Sequence, residues 1–259
     1  MKNLYKISLL LLLLSIIISC SGIKREKITK ISQLKGKLFA VPTGTMADQL
    51  VMEKIPNVKF KYFNSVIDCA MSVKANKTDA AAYDEPILKN IAAKNSGLKV
   101  LSPPIVTNEY GYAVNMENKI LKIAIDELLE EMVSNGEYDS MKTNWLPEKG
   151  EPGLMPQIVL SEENGTLRFG TCAITEPFAF LRGCDDIVGL DIEIALRVAE
   201  KMGMNLEIVD MKFGSLIPAL MAGKVDFIGA CITISEERSK KVLFSNPYYI
   251  GGISALVKE

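Results

Sequence analysis

Arg238 is the residue whose chemistry stands out first. It lies in SEERS (235–239), where Ser235 reads as a helix N-cap and Glu236 and Glu237 fill the first turn. A helix start favours anions, so a cation at the next position runs against the local preference. Arginine is also scarce, five residues against 25 lysines. A planar fork of donors at a helix start beside strand ends suits a carboxylate, although pairing with Glu237 explains the spacing equally well. Thr233 ends the preceding strand. Gly44-Thr45-Met46 offers a second anion site, with backbone N–H groups at the start of a helix and the Thr45 hydroxyl beside them; an ordinary Thr N-cap has the same appearance. Asp84 follows the apolar run AAAY, where it can take an ammonium or cap the helix opened by Pro86. Phe213 is a core residue or a ligand wall, and Cys172 ends a further strand. One cationic fork, one helix N-terminus and one carboxylate, drawn from both halves of the chain, match the two charged ends of an α-amino acid.

The elements that must position these groups follow from periodicity. LFAV (38–41) is a short apolar strand, 47–55 a helix stopped by Pro56, VKFKYF (58–63) an alternating strand, and 66–74 a helix. DAAAY (79–83) is a buried strand and 86–94 a helix. After EYGYAVN (109–115), read as one strand, come an amphipathic helix at 119–135 and one or two further turns at 138–145. Pro147, Gly150, Pro152, Gly153 and Pro156 mark a linker. The order then repeats, with LRFGT (167–171) as a strand, 178–189 as a hairpin, 191–202 as a helix, NLEIVDM as a strand, 215–222 as a helix and VDFIGACI as a strand. KANKTDAAAYDEP (74–86) and MAGKVDFIGACIT (221–233) are two copies of one turn-and-strand phrase, each delivering a strand end to its own lobe. Alternation of strands and helices predicts an α/β protein with two mainly parallel sheets, and ligands in such sheets bind beyond the strand carboxyl ends.

Composition narrows the chemistry. The 259 residues are near charge balance, so no basic excess points to nucleic acid. There is no histidine, which excludes His-based triads and most catalytic zinc sites. The opening MKNLYKISLLLLLLSIIISC has a positive start, an apolar run and small residues before a break, the pattern of an export signal at 1–19 and too short for a membrane span. Cys20 follows, then a polar, basic tether at 20–30. Cys69, Cys172, Cys184 and Cys231 contain no CxxC pair and read as inert thiols, with their pairing open.

GTCAITEPFAF, VGLDIEIALRVAEKMG, FGSLIPALMAGKVDFIGACITISEERSKKVLFSNPYY, LKGKLFAVPTGT, DAAAYDEP and NGEYDSMKTNWLP together resemble the bacterial solute-binding proteins that feed polar amino acids to ABC importers. The resemblance implies a two-lobe periplasmic-binding-protein-like (type II) fold with a hinge between the lobes. Ile17-Ile18-Ser19-Cys20 resembles the lipobox at which bacterial lipoproteins are cleaved and lipidated, implying a lipid anchor on the extracytoplasmic side. The family begins with a GTCAITEPF-like lobe and ends with NGEYDSMKTNW-like helices, whereas this chain has them reversed and so looks like a circular permutant. On that reading 31–108 is the family's inserted lobe, 109–147 a hinge strand and terminal helices, 148–165 the linker made by permutation, and 166–259 the main part of the other lobe. A tandem-array fragment pairing lobes between molecules is the rival organisation.

The family further implies that Arg238 and Thr233 hold the α-carboxylate, with Thr45 and the Met46 N–H approaching from the other lobe. Asp84 takes the ammonium, helped by a carbonyl near Ala230 or Cys231, and Phe213 packs on the side chain. Cys172 stands where many members have Asp, and Thr175 where an aromatic stacks, which favours an uncharged ligand side chain. The expected protein is therefore a monomeric binding protein without cofactor, metal or enzymatic activity, working with an ABC permease. The alternatives are a sensing module for a membrane receptor, or a dehydratase-like enzyme using Glu176 or Glu85.

Overall fold

A computed structural model of the chain describes residues 27–147 and 151–259. The expected leader and Cys20, with the tether as far as residue 26, lie outside the described residues, as do 148–150 of the linker.

The first lobe begins with a short 3-10 turn (Ile31–Leu34) and alternates β1 (Leu38–Pro42), α1 (Ala47–Lys54), β2 (Lys59–Phe63), α2 (Val66–Lys74), β3 (Ala80–Asp84), α3 (Glu85–Lys94) and β4 (Leu98–Val100). Every residue of β3 is buried, as its unbroken apolar run requires. Ser65 caps α2 by accepting the Asp68 N–H at 3.1 Å. The chain then passes along β5 (Val106–Tyr110) into β6 (Ala113–Val114), α4 (Lys119–Ser134) and α5 (Glu137–Trp145). After the linker come β7 (Thr166–Thr171), β8 (Ile174–Thr175), β9 (Ala179–Arg182), β10 (Asp186–Val188), α6 (Leu190–Lys201) and β11 (Asn205–Asp210). A 3-10 turn (Phe213–Ser215) leads into α7 (Leu216–Met221), β12 (Phe227–Ile228), α8 (Glu236–Ser239), β13 (Leu243–Phe244) and finally β14 (Tyr249–Lys258).

Pairing sorts these elements into two lobes. The first sheet has the order β2-β1-β3-β14-β4 with β5 also on β14, and the second has β11-β7-β12-β6-β13. β8, β9 and β10 form a small antiparallel sheet, the predicted hairpin included. Each large sheet is parallel except for one strand, β14 in the first and β6 in the second. Two connections join the lobes. One runs from β5 to β6, the other from β13 to β14, and they lie side by side with Tyr110 opposite Tyr249.

In two places the structure departs from the sequence expectation. EYGYAVN is two strands in two sheets, because the chain crosses between lobes around Gly111, where a Cβ would sit 2.9 Å from Ile234 Cδ1. VDFIGACI keeps its ladder only at Phe227–Ile228. The Tyr112 ring fills the space where Gly229 would carry a Cβ, at 2.5 Å, and Cys231 turns the chain outward with φ +53°.

Packing holds α4 and α5 to the second lobe despite the linker. Trp145 is fully buried; its indole N–H donates to Glu193 Oε2 at 2.6 Å, and Arg197 ties Glu193 of α6 to Glu137 of α5. The linker lies back on the same lobe, where Arg182 donates to the carbonyls of Gly153 (2.6 Å) and Pro152 (3.1 Å) and stacks on Trp145.

Candidate functional site

The parallel strands of both lobes end toward each other, and the loops that follow them meet. After β1, Gly44 adopts φ +83°, and a Cβ there would lie 2.8 Å from Gly214 Cα in the loop before α7. Only glycine tolerates both that backbone conformation and that approach. A cavity of about 430 Å³ opens beside this contact, within the range of small-molecule sites. Gly44, Thr45, Met46 and Gln49 line it from the first lobe, and Phe213, Leu216, Ile217 and Arg238 from the second.

Arg238 is buried, in contrast to an ordinary surface arginine, and Glu237 pairs with Lys241 at 3.1 Å instead. Ser235 caps α8 as read from sequence, accepting the Arg238 N–H at 3.3 Å. The guanidinium lies over the Phe213 ring, 5.6 Å from its centroid. It donates from Nη1 to the Thr233 carbonyl at 3.0 Å and from Nη2 to the Gly44 carbonyl at 3.4 Å, so one side chain touches both lobes. Two of its five donors are used in this way, which leaves the fork able to hold an anion. Burial lowers its pKa from the usual value, and the field of Asp84 works in the opposite sense.

Asp84 ends β3 and is buried. It occupies the N-cap position of α3 without a capping bond, so the capping explanation for this residue falls away. Its Oδ1 accepts the Tyr110 hydroxyl from the crossing strand. Burial pushes its pKa up to about 7, while the Tyr110 hydroxyl and the Arg238 charge pull it down. Arg238 and Asp84 thus sense each other's charge within one low-dielectric interior shared by the lobes.

The remaining predicted residues are placed as follows. Thr233 is buried; its hydroxyl accepts from Asn108 Nδ2 at 2.8 Å, and its backbone bridges to Tyr110, tying the strand end to the hinge. Thr45 lines the cavity, but its hydroxyl donates to the Pro42 carbonyl at 2.9 Å, and Met46 rather than Thr45 is the α1 N-cap. Ala230 and Cys231 are buried and do not line the cavity, and the Cys231 N–H donates to Asp191 Oδ2 at 3.3 Å. Cys172 packs in an apolar cluster with Leu216, Ile228 and Ala230, and burial raises its thiol pKa. Thr175 is buried with its hydroxyl donating to the Cys172 carbonyl at 3.0 Å, turned away from the cavity. All four cysteines of the described residues are free thiols. Glu176 and Glu85, considered as catalytic acids, form ion pairs with Lys94 (2.6 Å) and Lys89 (3.1 Å).

Sequence reading missed three contributors. Tyr110 and Asn108 sit on the crossing strand, and only the tertiary fold reveals that they reach Asp84 and Thr233. Asp191, buried at the start of α6 with a pKa raised by burial to about 7, reads in sequence as an ordinary acidic first turn.

Two α/β lobes joined by a pair of crossing strands, with loops of both lining one cleft, define a periplasmic-binding-protein-like protein. Arg238 lines that cleft, whereas Asp84 is buried and is not part of the cavity wall. Residues 167–259 match the family model of the bacterial extracellular solute-binding proteins, family 3. Over 83 residues the chain is 45% identical to the arginine-binding extracellular protein ArtP of Bacillus subtilis, covering 32% of each chain. It is 33% identical over 109 residues to the L-cystine-binding protein TcyJ of Escherichia coli, covering 42% of this chain and 40% of that one. Among solved structures, the arginine-bound domain 1 of TmArgBP matches at 39% identity with a TM-score of 0.33, covering 37% of this chain and 82% of that one. The chain thus spans less than half the length of the curated relatives it matches, and those relatives are binding proteins rather than enzymes.

Proposed function

We propose that this protein captures a small amino acid with an uncharged side chain in the interlobe cleft and delivers it, by hinge closure, to an ABC importer. The observation that carries this reading is Arg238, a buried guanidinium in contact with both lobes and in the field of Asp84. A zwitterion offers a carboxylate to the first and an ammonium to the second, and both contacts are made only when the lobes are closed, so the ligand favours closure. Relatives named for binding arginine, cystine and glutamine support an amino acid as the ligand.

The side chain is assigned from the cavity wall. Met46, Phe213, Leu216 and Ile217 are apolar, and Glu237 is already paired with Lys241. A cationic side chain would find no uncommitted carboxylate there, and Cys172 supplies only a thiol. Following the sequence reading, the protein sits outside the cytoplasm, anchored to a membrane through lipid on Cys20, and acts as a monomer. The order of its lobes is read as a permutation of the family's from the order of the sequence motifs; the chain leaves the first lobe once, completes the second, and returns to add β14. The test is a thermal-shift screen against the common amino acids followed by isothermal titration of any hit. A ligand at about 100 times its dissociation constant stabilises the fold by roughly 2.7 kcal/mol. If no amino acid raises the melting temperature, the reading is wrong.

A further inference from the structure

We propose that the pole of the first lobe remote from the cleft is a docking surface for an anionic phospholipid bilayer. Topology creates this pole. In a parallel α/β lobe the strand carboxyl ends face the ligand, while strand starts and helix ends face away. Here that far end collects Lys37 before β1, Lys59 at the start of β2, Lys77 before β3 and Lys99 in β4, with Lys54 and Lys74 ending α1 and α2. All but Lys37, which is half-buried, are exposed. Pairing keeps them close. The Lys59 N–H donates to the Lys37 carbonyl at 3.0 Å, and Ala80 and Lys99 flank Val257 of β14 from opposite sides. None of the six forms an ion pair among the described residues.

Helix dipoles account for Lys54 and Lys74, since cations are favoured at helix carboxyl ends. They do not account for Lys37, Lys59, Lys77 and Lys99, which lie on strand starts and turns. Glu53, Asp79 and Glu259 share this end, beside Lys54, before β3 and after β14, but the acidic residues are concentrated on the second lobe, with Glu127, Glu130, Glu131, Glu137 and Asp139 on α4 and α5. The near balance of 30 basic and 31 acidic residues therefore conceals a separation of charge between the lobes. Lys27 also belongs to this end, beside Ile28, which packs with Leu34 and Val257. Basic groups are attracted to an anionic surface only within about a Debye length, so a cluster at one pole is the arrangement that such a surface selects. The inference holds whichever solute the cleft binds.

Per-lysine acetylation read by mass spectrometry tests it on the full chain reconstituted with phosphatidylcholine vesicles, with or without phosphatidylglycerol. On the anionic vesicles Lys37, Lys59, Lys77 and Lys99 should react about fivefold more slowly, the factor expected for one basic contact. Protection should vanish in about 1 M salt, where the Debye length falls to about 3 Å. Lys142, Lys224 and Lys240 of the second lobe should react equally on both vesicles. Equal reactivity of the polar lysines on the two vesicles, or protection shared by both lobes, overturns the proposal. Adding an amino acid should leave this pattern unchanged, which separates its failure from that of the cleft assignment.

Discussion

The Tyr110 hydroxyl, carried on the strand that leaves the first lobe, donates to Oδ1 of Asp84 at the end of that lobe's central parallel strand. The hinge and the proposed ammonium site therefore share a hydrogen bond, and any rearrangement of the crossing strand is felt by the carboxylate.

Binding should be pH-dependent through Asp84. Recognition of an ammonium needs the ionised form, and burial holds the free carboxyl near a pKa of about 7. Affinity measured by titration calorimetry should rise with pH up to about 7 and level off above it, and a flat profile from pH 5 to 8 would contradict the role. Stability runs the other way. The folded pKa lies above the ordinary 3.8, so the fold's advantage is complete below about pH 4 and is lost as pH rises through 7, by an amount on the order of 4 kcal/mol. Asp84→Asn should lose binding while gaining stability at pH 8; the part of the slope that belongs to Asp191 should remain.

Removing the Tyr110 donor shifts this titration. Tyr110→Phe leaves the aromatic packing on Tyr249 and Phe178 in place but takes away a bond that lowers the Asp84 pKa. The pH midpoint for binding should move upward, with weak binding at pH 7.5 restored at pH 9. Unchanged binding at both pH values would separate Tyr110 from the site.

Arg238 should be the most sensitive position. Arg238→Ala removes one partner from a buried carboxylate and should cost roughly 3–5 kcal/mol, or about 10²- to 10⁴-fold in affinity. Arg238→Lys keeps the charge but not the fork that reaches Thr233 and Gly44, so calorimetry should show it recovering only part of the loss.

Closure itself can be blocked at Gly44. A methyl group added there meets Gly214 Cα at 2.8 Å across the lobes, and the φ of +83° adds a strain of about 1–2 kcal/mol. Gly44→Ala should fold, bind at least tenfold more weakly, and show by small-angle scattering an open shape that ligand does not close. A compact liganded form would refute the contact.

Lys94 and Glu176 form a second link between lobes, partly exposed at 2.6 Å. A double-mutant cycle on Lys94→Met and Glu176→Gln should give a coupling of roughly 0.2–1 kcal/mol that salt erases, far below the effect at Arg238.

Much of the secondary structure was legible because strands and helices alternate with clear punctuation: α2 and the 179–188 hairpin fall where the pattern places them. Arg238 stood out too, since it broke a local electrostatic preference, and what the structure adds is its burial and its lack of pairing with Glu237. The crossing at Gly111 was not, because EYGYAVN alternates as one strand whether its pairing partner is one sheet or two. Thr45 illustrates the limit for the site. Its position predicts a cap, and its oxygen does accept the Ala47 N–H at 3.4 Å, but only the folded loop shows that the hydroxyl proton goes to the Pro42 carbonyl instead of into the cavity. Cys172 and Thr175 are similar cases, as strand-end residues whose direction depends on how the following loop turns.

β14 lies in the middle of the first sheet, between β3 and β4, although every other element of that lobe precedes it by well over a hundred residues. During synthesis or export the lobe that emerges first must wait with an open seam until the last stretch of chain arrives. Its exposed strand edges are a hazard for misassembly during that interval, and truncation after β13 should leave the earlier lobe, rather than the later one, unable to fold.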